Sequence, residues 1–411
     1  MADPKLKLGN DIWATKQKSL LAYNDEGGNF KSLPFQVDRI SGGSYVGRNG
    51  LVQYAASNEP RIDFLNNTKG GLLLEQQRTN SITHSEDFSD GSWNKNNATV
   101  TANNTTAPDG SSSADLITST GTAPYARVTF THSTLTDYCV SIFGKKGDED
   151  YLYIRALALS SQPIASFNLS TGTLGTINSG LTAEIESHNN GWYRCIIKYT
   201  TTSSISNNLI DFGFASSDNS RFSSSGKFAY FWGAQVDVAN TKSSYIPTSG
   251  GAVTRVVDFT FIPSGLQNIL NTSEGTLFVD VDVPRVSSTG SFERIVLSDQ
   301  NASTDRIIFD NYGGNWRALM LSGANNVNKT IVSVTANQRI KVAIAYSSTE
   351  LRISYDGNAA TTTTGTYAPT TTLESLKFSN KDGGSKWFGN IYNVKYFDSA
   401  LSNAELVELT K

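Results

Sequence analysis

One glycine-rich stretch combines the residue types that sugar recognition needs. The sequence DNYGGNWRA contains Tyr312, Asn315, Trp316 and Arg317. An aromatic ring offers a flat platform to a sugar, while amide and guanidinium groups offer planar hydrogen-bonding partners. Loops carry binding residues more often than strands do. We therefore predict these four residues as a carbohydrate-binding site; the alternative, which the usual burial of indoles favours, is that Trp316 belongs to the core.

Acidic pairs that would support hydrolysis are scarce. Glycoside hydrolysis requires two carboxylates at a fixed separation. Asp280 and Asp282 alternate along one predicted strand, in GTLFVDVDVP, but no third acid accompanies them. We predict that this pair lies on the solvent side of an edge strand and is not catalytic.

The sequence also lacks the motifs of metal sites and phosphate-binding loops. His84, His132 and His188 lack metal-ligand spacing, and each is predicted to lie at the surface or in a loop. Cys139 and Cys195 form no disulfide framework; two buried thiols are expected, and a single bridge between neighbouring strands stays open. The glycine pairs lack the lysine and helix of a phosphate-binding loop. The sequence therefore predicts a protein that is not an enzyme.

The composition limits the classes of partner and fold. A chain of 411 residues exceeds one ordinary core and predicts two or three domains. The net charge is -3 with 17% charged residues, so no basic field for nucleic acid or anionic membranes exists. Abundant Ser, Thr, Asn and Gly with 10% aromatics favour β-structure with polar turns. No signal peptide or membrane span is apparent, so synthesis in a cytoplasm is expected.

The stretch GGLLLEQQRTN, residues 70–80, organises the N-terminal part of the chain. Its leucines predict a buried strand, and the residues from Glu75 onward predict a polar junction, with ligand binding as the alternative. Residues 1–79 are predicted to form a docking segment with short strands. Trp13 and Leu20 are too apolar for a solvated tail, although a poorly ordered terminus is the competing interpretation.

Residues 80–250 are predicted to form a β-sandwich. Short apolar runs alternate with turn signals such as Pro108-Asp109-Gly110 and Asn189-Asn190-Gly191. The predicted strands are Ala98 to Thr101, Ala126 to Thr131, Tyr138 to Phe143, Tyr151 to Leu157, Trp192 to Tyr199, Leu209 to Ala215 and Lys227 to Val238. Residues 251–274 are predicted to be a linker.

Residues 275–411 are predicted to form a second all-β domain. The alternation in GTLFVDVDVP predicts a half-buried strand, and RIKVAIAYSSTELRISYDG predicts a hairpin. Ser402 and Glu405 have the spacing of a capping box, so a short helix is expected after Ser402.

The first half resembles a module of tailed-phage virion proteins described as tail-fibre or carbohydrate-binding-like. The similarity covers about residues 35–258 and rests on the order of GLLLEQQRTN, SEDFSDGSWNK, APDGSSSADLI, NGWYRC, FWGAQVDVANTKSSYIPT and VTRVVD. The resemblance implies a virion context, in which the N-terminal segment contacts other virion proteins. It also implies a homo-oligomer, since fibres and spikes are commonly trimers.

The second half resembles the laminin-G/concanavalin-like lectin domains. The similarity rests on GTLFVDVDV, on the predicted hairpin RIKVAIAYSSTELRISYDG and on FGNIYNVKYFDSALSNAELVEL. Such sandwiches often hold a structural calcium ion through loop oxygens. The resemblance therefore suggests a calcium site formed by Asp299, Asn301, Asp305, Asp310 and Asn311, with solvated loop acids as the favoured alternative.

Together these features predict an all-β chain of two β-sandwich (jelly-roll) domains preceded by an extended N-terminal segment. The predicted function is that of a phage fibre, spike or decoration element that attaches to host cell-surface glycan. The alternative is a purely structural capsid or tail decoration protein without sugar binding.

Overall fold

The computed structural model describes residues 3–16, 19–26, 29–262, 264–286, 292–299, 305–379 and 385–411. Within these ranges the regular structure is almost entirely β-strand, so the all-β prediction is confirmed. The helices there are a 3-10 turn at Asn189–Gly191 and the α-helix α1 at Asn403–Thr410. None of the described helices has the length and hydropathy to cross a bilayer.

Strands occur along the whole described chain. The first are β1 (Leu6–Gly9), β2 (Ala14–Lys16), β3 (Ser19–Glu26), β4 (Asn29–Asp38), β5 (Gly43–Val46), β6 (Val52–Ala55), β7 (Ile62–Asp63), β8 (Gly71–Leu74), β9 (Arg78–Asn80), β10 (Asn94–Asn96), β11 (Ala98–Thr105), β12 (Ala114–Ser119), β13 (Tyr125–Thr129), β14 (Asp137–Lys145), β15 (Tyr151–Ala156), β16 (Ile164–Asn168) and β17 (Thr173–Ile177). They are followed by β18 (Thr182–Ser187), β19 (Trp192–Thr200), β20 (Leu209–Ala215), β21 (Phe228–Asp237), β22 (Val253–Arg255), β23 (Phe259–Ile262), β24 (Gly275–Val281), β25 (Phe292–Ser298), β26 (Arg306–Tyr312), β27 (Asn315–Ser322), β28 (Asn325–Ser333), β29 (Ile340–Tyr346), β30 (Glu350–Tyr355), β31 (Thr361–Thr364), β32 (Ser375–Lys377) and β33 (Gly389–Phe397).

The chain divides into two compact units that are not continuous in sequence. Unit 1 comprises Met1–Gly42, Ala55–Gln76 and Val256–Lys411, and unit 2 comprises Gly43–Tyr54 and Gln77–Arg255. The predicted domains were continuous stretches of sequence with boundaries after residues 79 and 250. The observed division differs from them. The described part of the N-terminal segment contributes strands to both units, because its partners are strands distant in sequence that local patterns do not report.

Unit 1 is built from two runs of antiparallel strands. One run has the order β31–β30–β29–β24–β33, and β33 also pairs with β1 and β8. The other has the order β3–β4–β23–β32–β25–β26–β27–β28. Both runs contribute alternate residues to one core, including Leu277, Val342, Ile295 and Phe309. This arrangement is a β-sandwich.

Strand β24 differs from the predicted half-buried edge. It lies between β29 and β33, and all seven of its residues are buried. Leu277 and Val279 face the central core, whereas Phe278 on the opposite face packs in a cluster with Leu406 of α1. The helix α1 begins with the predicted capping box between Ser402 and Glu405. The helix therefore covers a sheet face that sequence alternation alone assigned to solvent.

Unit 2 contains two six-stranded antiparallel sheets. Their orders are β10–β13–β20–β15–β16–β17 and β11–β12–β21–β14–β19–β18. The inner faces share a core that includes Ile142, Ile154 and Phe212. All the strands predicted between Ala98 and Val238 are present. The strand predicted within VTRVVDFTFI is two strands, of which β22 pairs with β9 in unit 2 and β23 pairs with β4 in unit 1.

A buried ion cluster joins three stretches of unit 1. Asp258 accepts hydrogen bonds from Arg39 Nη1 at 2.9 Å and from Arg61 Nη2, and Arg61 Nη1 donates to Glu75 at 2.6 Å. The backbone amides of Glu75 and Asp258 add reciprocal bonds, to the Asp258 carboxylate and to the Glu75 carbonyl. Glu75 therefore makes an internal polar junction. Asn80, at the end of the same stretch, is also buried, and it donates to two backbone carbonyls of unit 2.

We predict that Asp258→Ala destabilises unit 1 by about 3–5 kcal/mol, because it leaves the buried Arg39 and Arg61 with Glu75 as the one remaining negative group of the cluster. Chemical denaturation followed by tryptophan fluorescence would measure the change. Asp398→Ala is the matched control, since its ion pair with Lys5 at 3.8 Å is exposed and contributes roughly 0–1 kcal/mol. Equal effects of the two substitutions would contradict the role of the cluster.

The two cysteines lie on the neighbouring strands β14 and β19 as free, buried thiols. Burial raises the pKa of Cys139 to about 12, and burial also raises the pKa of Cys195 well above its ordinary value. The interpretation as buried thiols is therefore confirmed.

We predict that neither thiol reacts measurably with a chromogenic disulfide reagent at neutral pH in the folded chain, because the thiolate is the reactive form. Both should react once denaturant is added. Reduced glutathione serves as the reference thiol, and reaction of the native chain at the rate of glutathione would contradict the prediction.

Candidate functional site

The candidate site is the outer face of strands β25, β26 and β27 in unit 1. Successive side chains of a strand point to opposite faces, so each strand has one core face and one outer face. On the outer face the register places Arg294, Asp310 and Arg317 side by side across the three strands. We call these three residues the first Arg–Asp–Arg row.

The row is held by charge-assisted hydrogen bonds. Arg317 donates through Nε to Asp310 Oδ1 at 3.0 Å and through Nη2 to Oδ2 at 2.9 Å. Arg294 Nε donates to the same Oδ2 at 3.1 Å. The carboxylate is fully buried while both guanidinium groups keep part of their surface exposed. The row thus carries one surplus positive charge in a rigid bidentate geometry.

Three of the four predicted sugar-binding residues lie on this face. The Tyr312 ring lies beneath the Arg317 guanidinium, with 3.9 Å between the guanidinium carbon and the ring centroid, and Tyr312 pairs in register with Asn315. Gly313 and Gly314 between them have φ of 56° and 78°, which a tight two-residue hairpin turn requires. The predicted loop is therefore a hairpin tip, and its functional groups are held by strands.

Trp316 does not lie on this face, so the predicted exposed platform is wrong. Its side chain points into the core because it alternates with Arg317 along β27. The residue is 2% exposed, and its indole stacks on Phe309 at 5.0 Å and on Trp387 at 5.8 Å between ring centroids. The alternative interpretation, a buried indole, describes the structure.

Arg306 belongs to the same outer face and was not singled out from the sequence. Its side chain forms no hydrogen bond or ion pair with any residue that the structure describes, although the charge of Asp299 acts on it. Burial and the neighbouring charge of Arg294 lower the pKa of Arg306. Between Arg306 and the row lies a small apolar cluster of Val296, Ile308 and Leu319. The alternation in RIIFDNY, which puts Arg306, Ile308 and Asp310 on one face, was the signal that could have found it.

Asp305 and Asp310, two of the predicted calcium ligands, already have other partners. Asp310 is neutralised by two arginines, and Asp305 Oδ2 accepts hydrogen bonds from Thr370 and Thr371. Burial raises the pKa of Asp305, but these hydrogen bonds together lower it below its ordinary value. Asp299 is buried with one carboxylate oxygen lacking a hydrogen bond.

Asn301 lies outside the described residues, and Asn311 is buried and donates to Glu293 at 3.1 Å. Among the residues described, no three His, Cys, Asp or Glu side chains are grouped for a metal. Calcium binding therefore stays a prediction.

Asp280 and Asp282 are likewise occupied. Arg339 donates to both oxygens of Asp280 at 2.5 and 2.6 Å, and Asp282 accepts from Tyr392 Oη at 2.6 Å and from Asn390. Asp280 is buried, which corrects its predicted place on a wet strand edge. The two carboxylates act as partners for neighbouring side chains on the sheet.

The histidines were predicted to lie at the surface or in a loop, and His132 and His188 do lie in loops, but both side chains are buried. His132 is buried and its Nε2 lies 2.7 Å from Tyr199 Oη, and burial lowers its pKa. The His188 side chain is buried with its ring edge-on to Phe143. His84 is partly exposed and its Nδ1 lies 3.2 Å from Asp90.

We predict that Trp316→Ala destabilises unit 1 by about 3–5 kcal/mol, because it removes a large side chain from a stacked core. Denaturant unfolding would measure this loss. Trp316→Phe keeps an aromatic ring in the stack and should lose much less. A chain that keeps its full stability with Trp316→Ala would contradict the core assignment.

A profile of the concanavalin A-like lectin/glucanases superfamily matches residues 271–407, which contain the face described above. The match covers less than half of the chain. It identifies a lectin-like domain in the C-terminal part and agrees with the predicted resemblance of that part. A search of curated proteins finds no match.

Several solved structures have partial similarity to the chain. The carbohydrate-binding module of a Ruminococcus gnavus sialidase bound to α2,6-sialyllactose has 10% identity and a TM-score of 0.31, over 36% of this chain and 92% of that one. A domain of an extracellular arabinanase from Geobacillus stearothermophilus with arabinotriose has 13% identity and a TM-score of 0.30, over 41% and 81%. Domains LG4-5 of the mouse laminin α1 chain have 10% identity and a TM-score of 0.26, over 79% and 95%. With similarity this low, no ligand or activity transfers from these proteins to the chain.

Proposed function

We propose that the chain binds cell-surface glycan without cleaving it, as an exposed fibre, spike or decoration element of a phage virion. The observation that carries the binding part is the first Arg–Asp–Arg row with Tyr312 beside it, within a lectin-like domain. The virion part is supported by the order of short motifs in residues 35–258, which resembles the tailed-phage module.

The row suits sugar recognition because its donors are fixed before a ligand arrives. Asp310 takes the Nε and Nη2 donors of Arg317, and Nη1 bonds to none of the residues described. This leaves Arg317 Nη1 to donate to a hydroxyl or carboxylate of the ligand. Ligand sites commonly combine a few such polar groups with apolar surface, which Tyr312 and the cluster around Ile308 supply here.

Binding without cleavage is proposed because the acids of this face are engaged. Asp310 is buried between two arginines, so it is shielded from a glycosidic bond. Retention of a glycan with no fall in its chain length over time is the expected behaviour.

We predict that Arg317→Gln and Tyr312→Ala each reduce glycan retention at least tenfold. For Arg317 this loss agrees with about 1.5–3 kcal/mol for a hydrogen bond to a charged group. An array of immobilised saccharides would first select the ligand, and biolayer interferometry would compare the variants. Arg352→Gln is the matched control, since it removes one positive charge from β30 in the other run of strands.

Thermal unfolding would verify that each variant is folded. Unchanged retention in both test variants would place the binding elsewhere. A wild-type chain that retains no glycan, yet assembles into particles, would support the purely structural role instead.

A further inference from the structure

Unit 2 contains a second Arg–Asp–Arg row on the outer face of its β13–β20–β15 strands. The register places Arg127 opposite Asp211 and Asp211 opposite Arg155. This is the arrangement found in unit 1, on a sheet of different strand order and in a different part of the sequence. All of its members belong to unit 2.

The second row is also centred on a fully buried carboxylate. Arg127 donates through Nε to Asp211 Oδ1 at 2.6 Å and through Nη2 to Oδ2 at 3.1 Å, and Arg155 Nη1 lies 3.7 Å from Oδ2. Arg155 bonds in addition to the Gln162 side chain. The Arg127 guanidinium lies over the Tyr125 ring, 4.6 Å from its centroid. Both arginines keep part of their surface exposed.

A third arginine makes the face electropositive. Arg221 is part-exposed and forms no hydrogen bond or ion pair with any described residue, and unit 2 is described throughout. The loop that carries Arg221 reaches this face, because the Asn219 amide donates to Ser166 Oγ at 3.1 Å and Ser166 pairs in register with Tyr153, two residues before Arg155. Burial and the charge of Arg221 also lower the pKa of Arg155. These three arginines and Asp211 sum to two positive charges, in a chain whose net charge is -3. Asp218, on the loop that carries Arg221, is bonded to Thr176 of β17.

Two tyrosines border the arginines, of which Tyr125 is part-exposed and Tyr153 is fully buried. In the next register row Gly213 lies between Tyr125 and Tyr153. A Cβ on Gly213 would come within 2.3 Å of the Tyr153 ring, so glycine is required for that ring to lie across the strand. Tyr153 Oη anchors the ring by donating to the Pro124 carbonyl at 3.1 Å.

Neutral hydrogen-bonding groups border the same surface. On β10, Asn94 pairs with Arg127 and Asn96 pairs with Tyr125, so both amides lie on this face. Neither amide bonds to a described residue. Amides offer both a donor and an acceptor, which is what sugar hydroxyls require.

We propose that this face of unit 2 binds a carboxylate-bearing saccharide, with the acid group on Arg155 and Arg221 and the hydroxyls on the asparagines of β10. The guanidinium fork matches the planar carboxylate. Two surplus charges on one small face are too few for nucleic acid, which requires an extended basic surface. The face lies outside residues 271–407, so the proposal does not depend on the face in unit 1.

The test uses the full chain and polygalacturonate as the probe, with the same polymer methyl-esterified on its carboxylates as the neutral control. Affinity electrophoresis at two salt concentrations would report binding. We expect retardation by polygalacturonate, at least fivefold weaker in Arg221→Gln, and little retardation by the esterified polymer. Arg221 has no hydrogen-bond or ion-pair partner among the described residues, so this substitution removes no such bond from the fold.

Three further variants test whether a change in polygalacturonate binding comes from general loss of charge, from the asparagines of β10 or from the site in unit 1. Lys227→Gln removes an exposed charge next to β21 in the other sheet and should change nothing. Asn96→Ala changes no charge and should weaken binding severalfold. Arg317→Gln, in unit 1, should leave polygalacturonate binding intact. This variant therefore distinguishes failure of the site in unit 1 from failure of the site in unit 2.

Four results would overturn the proposal. They are equal binding by Arg221→Gln and the wild type, equal losses in Arg221→Gln and Lys227→Gln, equal retardation by both polymers, and binding of dextran sulfate without binding of polygalacturonate.

Discussion

The buried ion cluster of Arg39, Arg61, Glu75 and Asp258 is the constraint on which the assembly of unit 1 depends. Two positive and two negative groups are removed from water together, and each is costly to bury without its partners. They come from positions close in sequence to the points where the chain leaves or re-enters unit 1. The cluster therefore holds the short middle stretch of unit 1 and its N-terminal stretch to the C-terminal one. Satisfied charges rather than apolar burial alone specify which strands of this unit meet.

The same requirement shapes the outer faces of the sheets. A carboxylate in the middle of a sheet is tolerated because an arginine on each neighbouring strand pairs with it, as at Asp310 and Asp211. The arginines are thereby fixed in orientation while part of each guanidinium stays accessible. Restricting these long side chains in advance reduces the entropy lost when a ligand binds. A structural ion pair and a preorganised binding group are thus one arrangement.

Charge distribution explains why such faces can be selective. The chain is acidic overall, so it has no general attraction for polyanions. At the site proposed in unit 2, the surplus charge of Arg221 would attract an acid group only where neighbouring hydrogen-bonding groups also fit it. Because side chains alternate, one strand serves both purposes: in β27 Trp316 packs in the core while Arg317 faces outward.

Features that depend on neighbours along the chain could be predicted from the sequence. The period of two in GTLFVDVDVP, the turn signals of residues 80–250, the hairpin of β29 and β30 and the cap at Ser402 each indicated the element that forms. It also brought Tyr312, Asn315 and Arg317 to attention, since they are adjacent in one motif.

Which residues share a surface depends on contacts between strands that are distant in sequence. Trp316 is buried because alternation places it opposite Arg317, and β24 is buried on both faces because α1 covers it. The partners of Asp310 and Asp211 are set by the register between strands, and unit 1 is discontinuous because its strands pair across long separations. Hydrogen-bond register and charge pairing act between residues far apart in sequence, so no local pattern records them.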